Sequence, residues 1–136
     1  MTTQKPKVLI VPGNGGGDME NSNWYRWMKE NLQKNGIDVA MSNMPDPVVA
    51  NKDIWLNFIK EELAENKGDP KNWGEHGGAY NATKKFTPST TLDNCIVVGH
   101  SSGAVAAMRL AELYKLKGIF IVAGYHSHLG IYFLGF

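Results

Sequence analysis

A lone cysteine, Cys95, is all the sulfur-bridging capacity this chain has, so no internal disulfide framework holds it. Small secreted scaffolds depend on such bridges, and their absence points to a reducing, cytoplasmic compartment. Cys95 falls in an apolar stretch, where a thiol behaves as a small hydrophobe rather than a reactive group. Excess charge is also missing: 14 Lys and Arg stand against 13 Asp and Glu, a net +1. That balance gives no electrostatic footprint for nucleic acid or an anionic membrane surface. No apolar run is long enough to span a bilayer. The first one, near Val8–Val11, is too short for a signal-peptide core and runs straight into glycines. Metal-ligand clusters are absent as well. His76 has no companion at ligand spacing, and the His126/His128 pair lacks a third group. What remains, 136 residues with 43% hydrophobic content, describes one globular domain or a piece of one.

The stretch Asn94–Ala107, NCIVVGHSSGAVAA, organises the rest. It reads as a buried strand (Cys95–Val98), a sharp turn over Gly99-His100-Ser101-Ser102-Gly103, and a helix that starts at once. The turn matches G-x-S-x-G, the nucleophile elbow. A strand that passes directly into a helix leaves no room for a Cβ near the bend, which calls for the two glycines. The residue at the tip, Ser101, is expected in a strained conformation with its hydroxyl pushed out above the sheet edge. The helix N-terminus behind it offers N–H groups and a positive dipole end to a developing oxyanion. The bland alternative is a Gly/Ser-rich turn of a parallel sheet with no chemistry.

Lys7–Val11 reads as the first strand and Pro12–Asp18, PGNGGGD, as a flexible loop after it. This loop lacks the third glycine of a dinucleotide fingerprint and the G-K-[ST] of a P-loop. A nucleotide site is therefore weak. A loop supplying a second oxyanion donor, or a glycine-rich turn without a ligand, both stay open. Asn23–Lys34 is expected to be helical, with Trp24, Trp27, Met28 and Leu32 on its apolar face and Gly36 as its stop. Ile37–Met41 is the second strand. Asp46, between two prolines, is expected to stabilise a turn rather than touch substrate. Asn51–Glu65 reads as an amphipathic helix, Asn51 its N-cap and Ile54, Trp55, Phe58, Ile59 and Leu63 its stripe. The elbow helix runs Ser102–Tyr114, and Gly118–Ala123 is the fourth strand. Strands alternating with helices argue for an α/β fold, a parallel sheet with helices on both faces. Sites in such sheets lie at the carboxyl ends of the strands. Both the Pro12–Gly17 loop and Ser101 fall there.

Taken together, Val11-Pro12-Gly13-Asn14-Gly15-Gly16-Gly17, Trp24-Tyr25, Asn43-Met44-Pro45-Asp46-Pro47, Ile54-Trp55-Leu56 and Gly99-His100-Ser101-Ser102-Gly103-Ala104 resemble the retinoblastoma-binding protein 9 family of serine hydrolases. The resemblance covers Lys7 to Leu129 except Asn66–Thr91. It implies a compact α/β-hydrolase fold, a three-layer sheet that is incomplete here at its C-terminus. It further implies Ser101 as nucleophile, an oxyanion hole from the Ser102 N–H and one N–H of Gly13–Asn14, and hydrolysis of small ester or amide substrates without metal or organic cofactor.

The departures are equally specific. Triad order in this fold is Ser…Asp/Glu…His. After Ser101 the only acidic residue is Glu112, roughly 16 Å along a helix at 1.5 Å per residue. His126 and His128 follow the next strand, where the family has no catalytic histidine. His100 adjoins Ser101, but neighbours on an elbow point apart. Residues 1–136 thus read as a single, partial hydrolase domain. Residues 66–91 form a lid-like or disordered insertion, and 124–136 an atypical tail. A truncated isoform, a gene-model fragment or a retained intron fits this pattern. Nearly no activity is expected of the chain alone, and a non-catalytic interaction protein on the same scaffold is the alternative. Retinoblastoma binding is not carried over, because Leu63-Ala64-Glu65-Asn66-Lys67 lacks the cysteine and final glutamate of L-x-C-x-E.

Overall fold

Strand β1, Lys7–Val11, is a β-branched run whose last four residues are buried, and it lies at the centre of the sheet. The computed structural model describes residues 5–15, 17–63 and 92–124, without the side chains of 62 and 63. The expected insertion 66–91, the two tail histidines and the tail beyond Gly124 lie outside the described residues. In chain order the further elements are α1 (Tyr25–Lys34), β2 (Asp38–Met41), α2 (Lys52–Phe58), β3 (Cys95–His100), α3 (Ser102–Leu113) and β4 (Gly118–Val122). The strands form one parallel sheet in the order β2-β1-β3-β4.

Alternation along the strands builds two cores. Val8, Ile10, Val39 and Val98 face α1, where they meet Tyr25, Met28 and Leu32. Leu9, Val11, Ala40 and Val97 face the other way, onto Trp55 and Phe58 of α2 and Ala106 and Leu110 of α3. The sheet is thus covered on both faces, as the alternation of elements predicts. Chain order reverses direction between β1 and β3. That switch point opens a crevice at their carboxyl ends.

Four expectations need correction. Helix α1 begins at Tyr25, because Asn23 adopts a left-handed φ of 50°. Trp27 is 67% exposed rather than part of the packed face. Tyr25, Met28 and Leu32 define that face at i, i+3 and i+7, and Trp27 lies about 100° round the helix from Met28. The second amphipathic segment is α-helical only to Phe58 and continues as a π-type turn over Ile59–Leu63. Finally β3 runs two residues further than expected, through Gly99 and His100, because β4 pairs with it to the end: Gly99 opposite Ile121 and His100 opposite Val122.

Asn51 caps α2 as expected, accepting from the N–H groups of Asp53 and Ile54. Asp46 is the turn residue the prolines suggest. It is buried at a φ of 46°, and its carboxylate accepts the Asn51 N–H at 2.9 Å. Its neighbour Pro45 offers a carbonyl to the Trp55 indole N–H at 2.8 Å, which fixes the ring beneath the crevice.

Candidate active site

With β3 extending through His100, the whole reversal from strand to helix falls on one residue. Ser101 has φ 54° and ψ −113°. Non-glycine residues rarely hold a positive φ, and such a conformation costs on the order of 1–3 kcal/mol. The surrounding contacts enforce it. The Ser101 N–H donates to the Val122 carbonyl at 2.9 Å, and the Ser101 carbonyl accepts from the Ala104 N–H at 3.0 Å. A Cβ on Gly99 would lie under 3.0 Å from the Gly103 backbone, and one on Gly103 under 3.0 Å from the Val11 and Pro12 carbonyl oxygens. The two glycines of the motif are therefore steric requirements of a helix that starts directly against two strand ends. Among the described residues, no hydrogen bond engages the Ser101 hydroxyl. It borders a cavity of about 260 Å³ that Gly13, Tyr25, Met44, Trp55 and His100 also line.

The loop after β1 reaches this cavity from the neighbouring strand. A Cβ on Gly13 would sit 3.3 Å from the Ser101 Cβ. The loop is stitched down rather than open. The Gly13 N–H donates to the Tyr25 hydroxyl at 3.1 Å. The Gly15 N–H donates to the Pro47 carbonyl at 2.8 Å. The Asn14 side-chain amide donates to the Val48 carbonyl at 3.1 Å. Asn14 and Ser102 are joined twice: the Ser102 hydroxyl donates to Asn14 Oδ1 at 2.6 Å, and the Asn14 N–H reaches Ser102 Oγ at 3.3 Å. Of the two loop donors expected from sequence, Gly13 is thus engaged by a phenol. Asn14 holds a long bond, near the limit of what counts as one. Ser102 opens α3, where the first N–H groups of a helix have no acceptor within the helix.

Sequence reasoning missed the cluster behind Ser101. The Tyr25 hydroxyl and His100 Nδ1 are 2.6 Å apart, and Trp24 packs against both rings. Burial pushes the phenol above its ordinary pKa of 10.0, with the Gly13 N–H and the Asn23 side chain pulling it partly back. The phenol therefore carries its proton at neutral pH. Its oxygen accepts from Gly13, and the direction of its bond with His100 Nδ1 follows the imidazole tautomer. The available signal was a tyrosine on the packed face of a helix: a buried phenol needs a polar partner at its tip. Among the described residues, no group of three His, Cys, Asp or Glu could hold a metal ion, and no helix is long and apolar enough to cross a membrane.

No protein-family model matches the chain. It is 36% identical over 125 residues to Serine hydrolase RBBP9 of Rattus norvegicus, a match covering 91% of this chain and 53% of that protein. It is 24% identical over 127 residues to YdeN of Bacillus subtilis (strain 168), covering 90% and 53% respectively. The crystal structure of the YdeN gene product superposes with a TM-score of 0.60 at 24% identity, over 88% of this chain and 52% of that one, and shares the fold. The chain spans about half the length of the relatives it matches. Over that span, with its parallel sheet and Gly99–Gly103 elbow, it is similar to the serine hydrolase RBBP9.

Proposed function

We propose that this chain carries the nucleophile and oxyanion hole of a serine hydrolase acting on ester or amide bonds of small substrates. The observation that carries this reading is the backbone of Ser101, strained at a positive φ beside a cavity at the sheet's switch point. Asn23, Asp46, Ala50 and Ala123 also hold a positive φ, but Ser101 holds it directly between β3 and α3, with a nucleophilic hydroxyl beside the cavity. In the reaction the Ser101 oxygen bonds to the substrate's carbonyl carbon while a base takes the hydroxyl proton. The carbonyl electron pair moves onto oxygen, where the N–H groups of Ser102 and Asn14 receive it. Collapse expels the alcohol or amine with a proton, and water then releases the acid from the acyl-serine. Asn14 suits the second donor role better than Gly13. Its long bond to Ser102 is readily exchanged for an anionic acceptor, and the Gly13 N–H anchors the loop.

Among the described residues, none is placed to act as the base. Glu112 lies at the far end of α3, where it pairs with Arg109 at 3.0 Å. His100 is engaged by Tyr25. The chain alone is therefore expected to give only residual catalysis, on the order of 10³-fold over water. Turnover of p-nitrophenyl acetate by the purified chain tests both halves of the reading. A slow rate that disappears in Ser101→Ala supports it. An unchanged rate in the variant removes Ser101 from the chemistry, and fast turnover that needs Ser101 shows that a base is present after all.

One feature favours a second reading, a non-catalytic interaction protein. Phe120, Ile121 and Val122 of the edge strand β4 are 62%, 41% and 36% exposed. Apolar residues on an open sheet edge invite association. Sedimentation of the purified chain together with the ester assay separates the two: stable self-association or partner capture without any Ser101-dependent rate favours the scaffold role.

A further inference from the structure

We propose that Tyr25 is a positioning residue of this site: its hydroxyl, lodged between the Gly13 N–H and His100 Nδ1, fixes the β1 loop beside Ser101 and withholds His100 from acting as a base. The inference rests on the hydrolase reading above and adds to it the group that holds the loop in place.

Three observations carry it. Tyr25 is 3% exposed, at the first turn of α1, on the opposite face of the sheet from α3. Its hydroxyl still reaches the crevice, bonding Gly13 at 3.1 Å and His100 at 2.6 Å. One atom therefore ties α1 to both strand ends that flank the switch point. Second, the imidazole tautomer is assigned as part of the proposal: with Gly13 donating to the phenol oxygen, the phenol proton is assigned to Nδ1. Neutral histidine has one ring nitrogen free to accept, and here that nitrogen is taken. Nε2 then carries the ring proton and has no lone pair for the Ser101 hydroxyl. Ring contacts from Trp24 and Tyr25, at centroid separations of 5.6 and 5.7 Å, hold His100 in this orientation. Third, Gly13 adjoins both the nucleophile and Asn14, the proposed oxyanion donor. Whatever fixes Gly13 fixes the distance from Asn14 to the reacting oxygen. A displacement of about 1 Å at such a donor is enough to lower a rate on the order of 100-fold.

Tyr25→Phe removes the hydroxyl and keeps the ring that packs on Trp24. The first measurement uses the unmodified chain: ¹⁵N NMR of its imidazoles, with the His100 signals identified by their loss in His100→Gln. In its neutral form His100 should carry the proton on Nε2, with Nδ1 bare. A ring protonated on Nδ1 overturns the proposal, and this result does not depend on Tyr25→Phe folding. The second measurement is the rate at which diisopropyl fluorophosphate modifies Ser101, followed by intact mass, alongside native-state exchange of the Gly13 amide. Tyr25→Phe should speed exchange at Gly13, and in a His100→Gln background, where no imidazole is released to act as a base, it should slow the modification at least tenfold. A rate within tenfold of the His100→Gln chain, or unaltered Gly13 exchange, overturns the proposal. An unmodified chain that takes no phosphoryl group at Ser101 contradicts the hydrolase reading itself. A modified Ser101 with the wrong His100 tautomer, or with an unaffected variant, contradicts only the role of Tyr25.

Discussion

Asn14 and Ser102, 88 residues apart in sequence, hold each other by a reciprocal pair of hydrogen bonds that closes the gap between the two loops at the switch point. The Ser102 hydroxyl is buried, whereas Asn14 is exposed and water can reach it. Ser102→Ala keeps the backbone N–H of residue 102 but removes this donor from Asn14 Oδ1. A loss of about 0.5–1.5 kcal/mol is expected, the net worth of an ordinary hydrogen bond. The urea midpoint measures it, and an unchanged midpoint places the anchor of the loop elsewhere.

The glycines of the elbow make a graded prediction. Gly103→Ala sets a Cβ against the Val11 and Pro12 carbonyls, backbone atoms that cannot step aside. It should destabilise by about 3 kcal/mol or more, at or above the upper end of ordinary overpacking. Gly118→Ala is the control. Its new Cβ meets nothing nearer than 4.0 Å, and its midpoint should barely move. Equal effects of the two substitutions would show that the elbow does not pack as described.

Strain at Ser101 predicts a conflict between stability and chemistry. Ser101→Gly relieves the positive φ, worth about 1–3 kcal/mol. It loses some of that to the extra freedom of glycine in the unfolded chain, about 0.5–1 kcal/mol. A net gain near 1 kcal/mol is expected, together with complete loss of Ser101-directed labelling. Ser101→Ala should lose the labelling without the gain. A glycine variant less stable than the alanine one contradicts the strain.

Two buried acids set the response to alkali. Burial raises the Cys95 thiol above its ordinary 9.0 and the Tyr25 phenol above its ordinary 10.0. The folded chain therefore keeps protons that the unfolded chain has released, so stability falls as pH rises past these ordinary values and is unaffected by these groups below them. Urea midpoints should decline from about pH 9 upward. Iodoacetamide at pH 8 should leave Cys95 unmodified until urea unfolds the chain. Rapid alkylation of the folded chain would place Cys95 outside the core.

The parts legible in sequence were those with a local signature. Short β-favouring apolar runs gave all four strands, with β1 exact at Lys7–Val11, and Gly99, Ser101 and Gly103 gave the elbow. Asn51 announced its own cap. What escaped depends on partners distant in the chain. The last two residues of β3 are strand because Val11, Ile121 and Val122 lie beside them. Trp27 looked like core because tryptophan is large and apolar. Yet the helix phase is set by Tyr25, Met28 and Leu32, which face the sheet. The loop after β1 reads as flexible from its glycines. Its anchors are Tyr25, Pro47, Val48 and Ser102, scattered along the chain and brought together only by the sheet order. For the bond between Tyr25 and His100, 75 residues apart, the local sequence offered only a tyrosine that would need a polar partner, not which partner.

The central claim is that Ser101 is the reacting group, and peptide mapping after prolonged exposure to a fluorophosphonate tests it most directly. The account predicts a single adduct on Ser101, formed slowly for want of a base and absent from Ser101→Ala. An adduct on Ser102 or another serine, an adduct that survives in Ser101→Ala, or no adduct at all would contradict it.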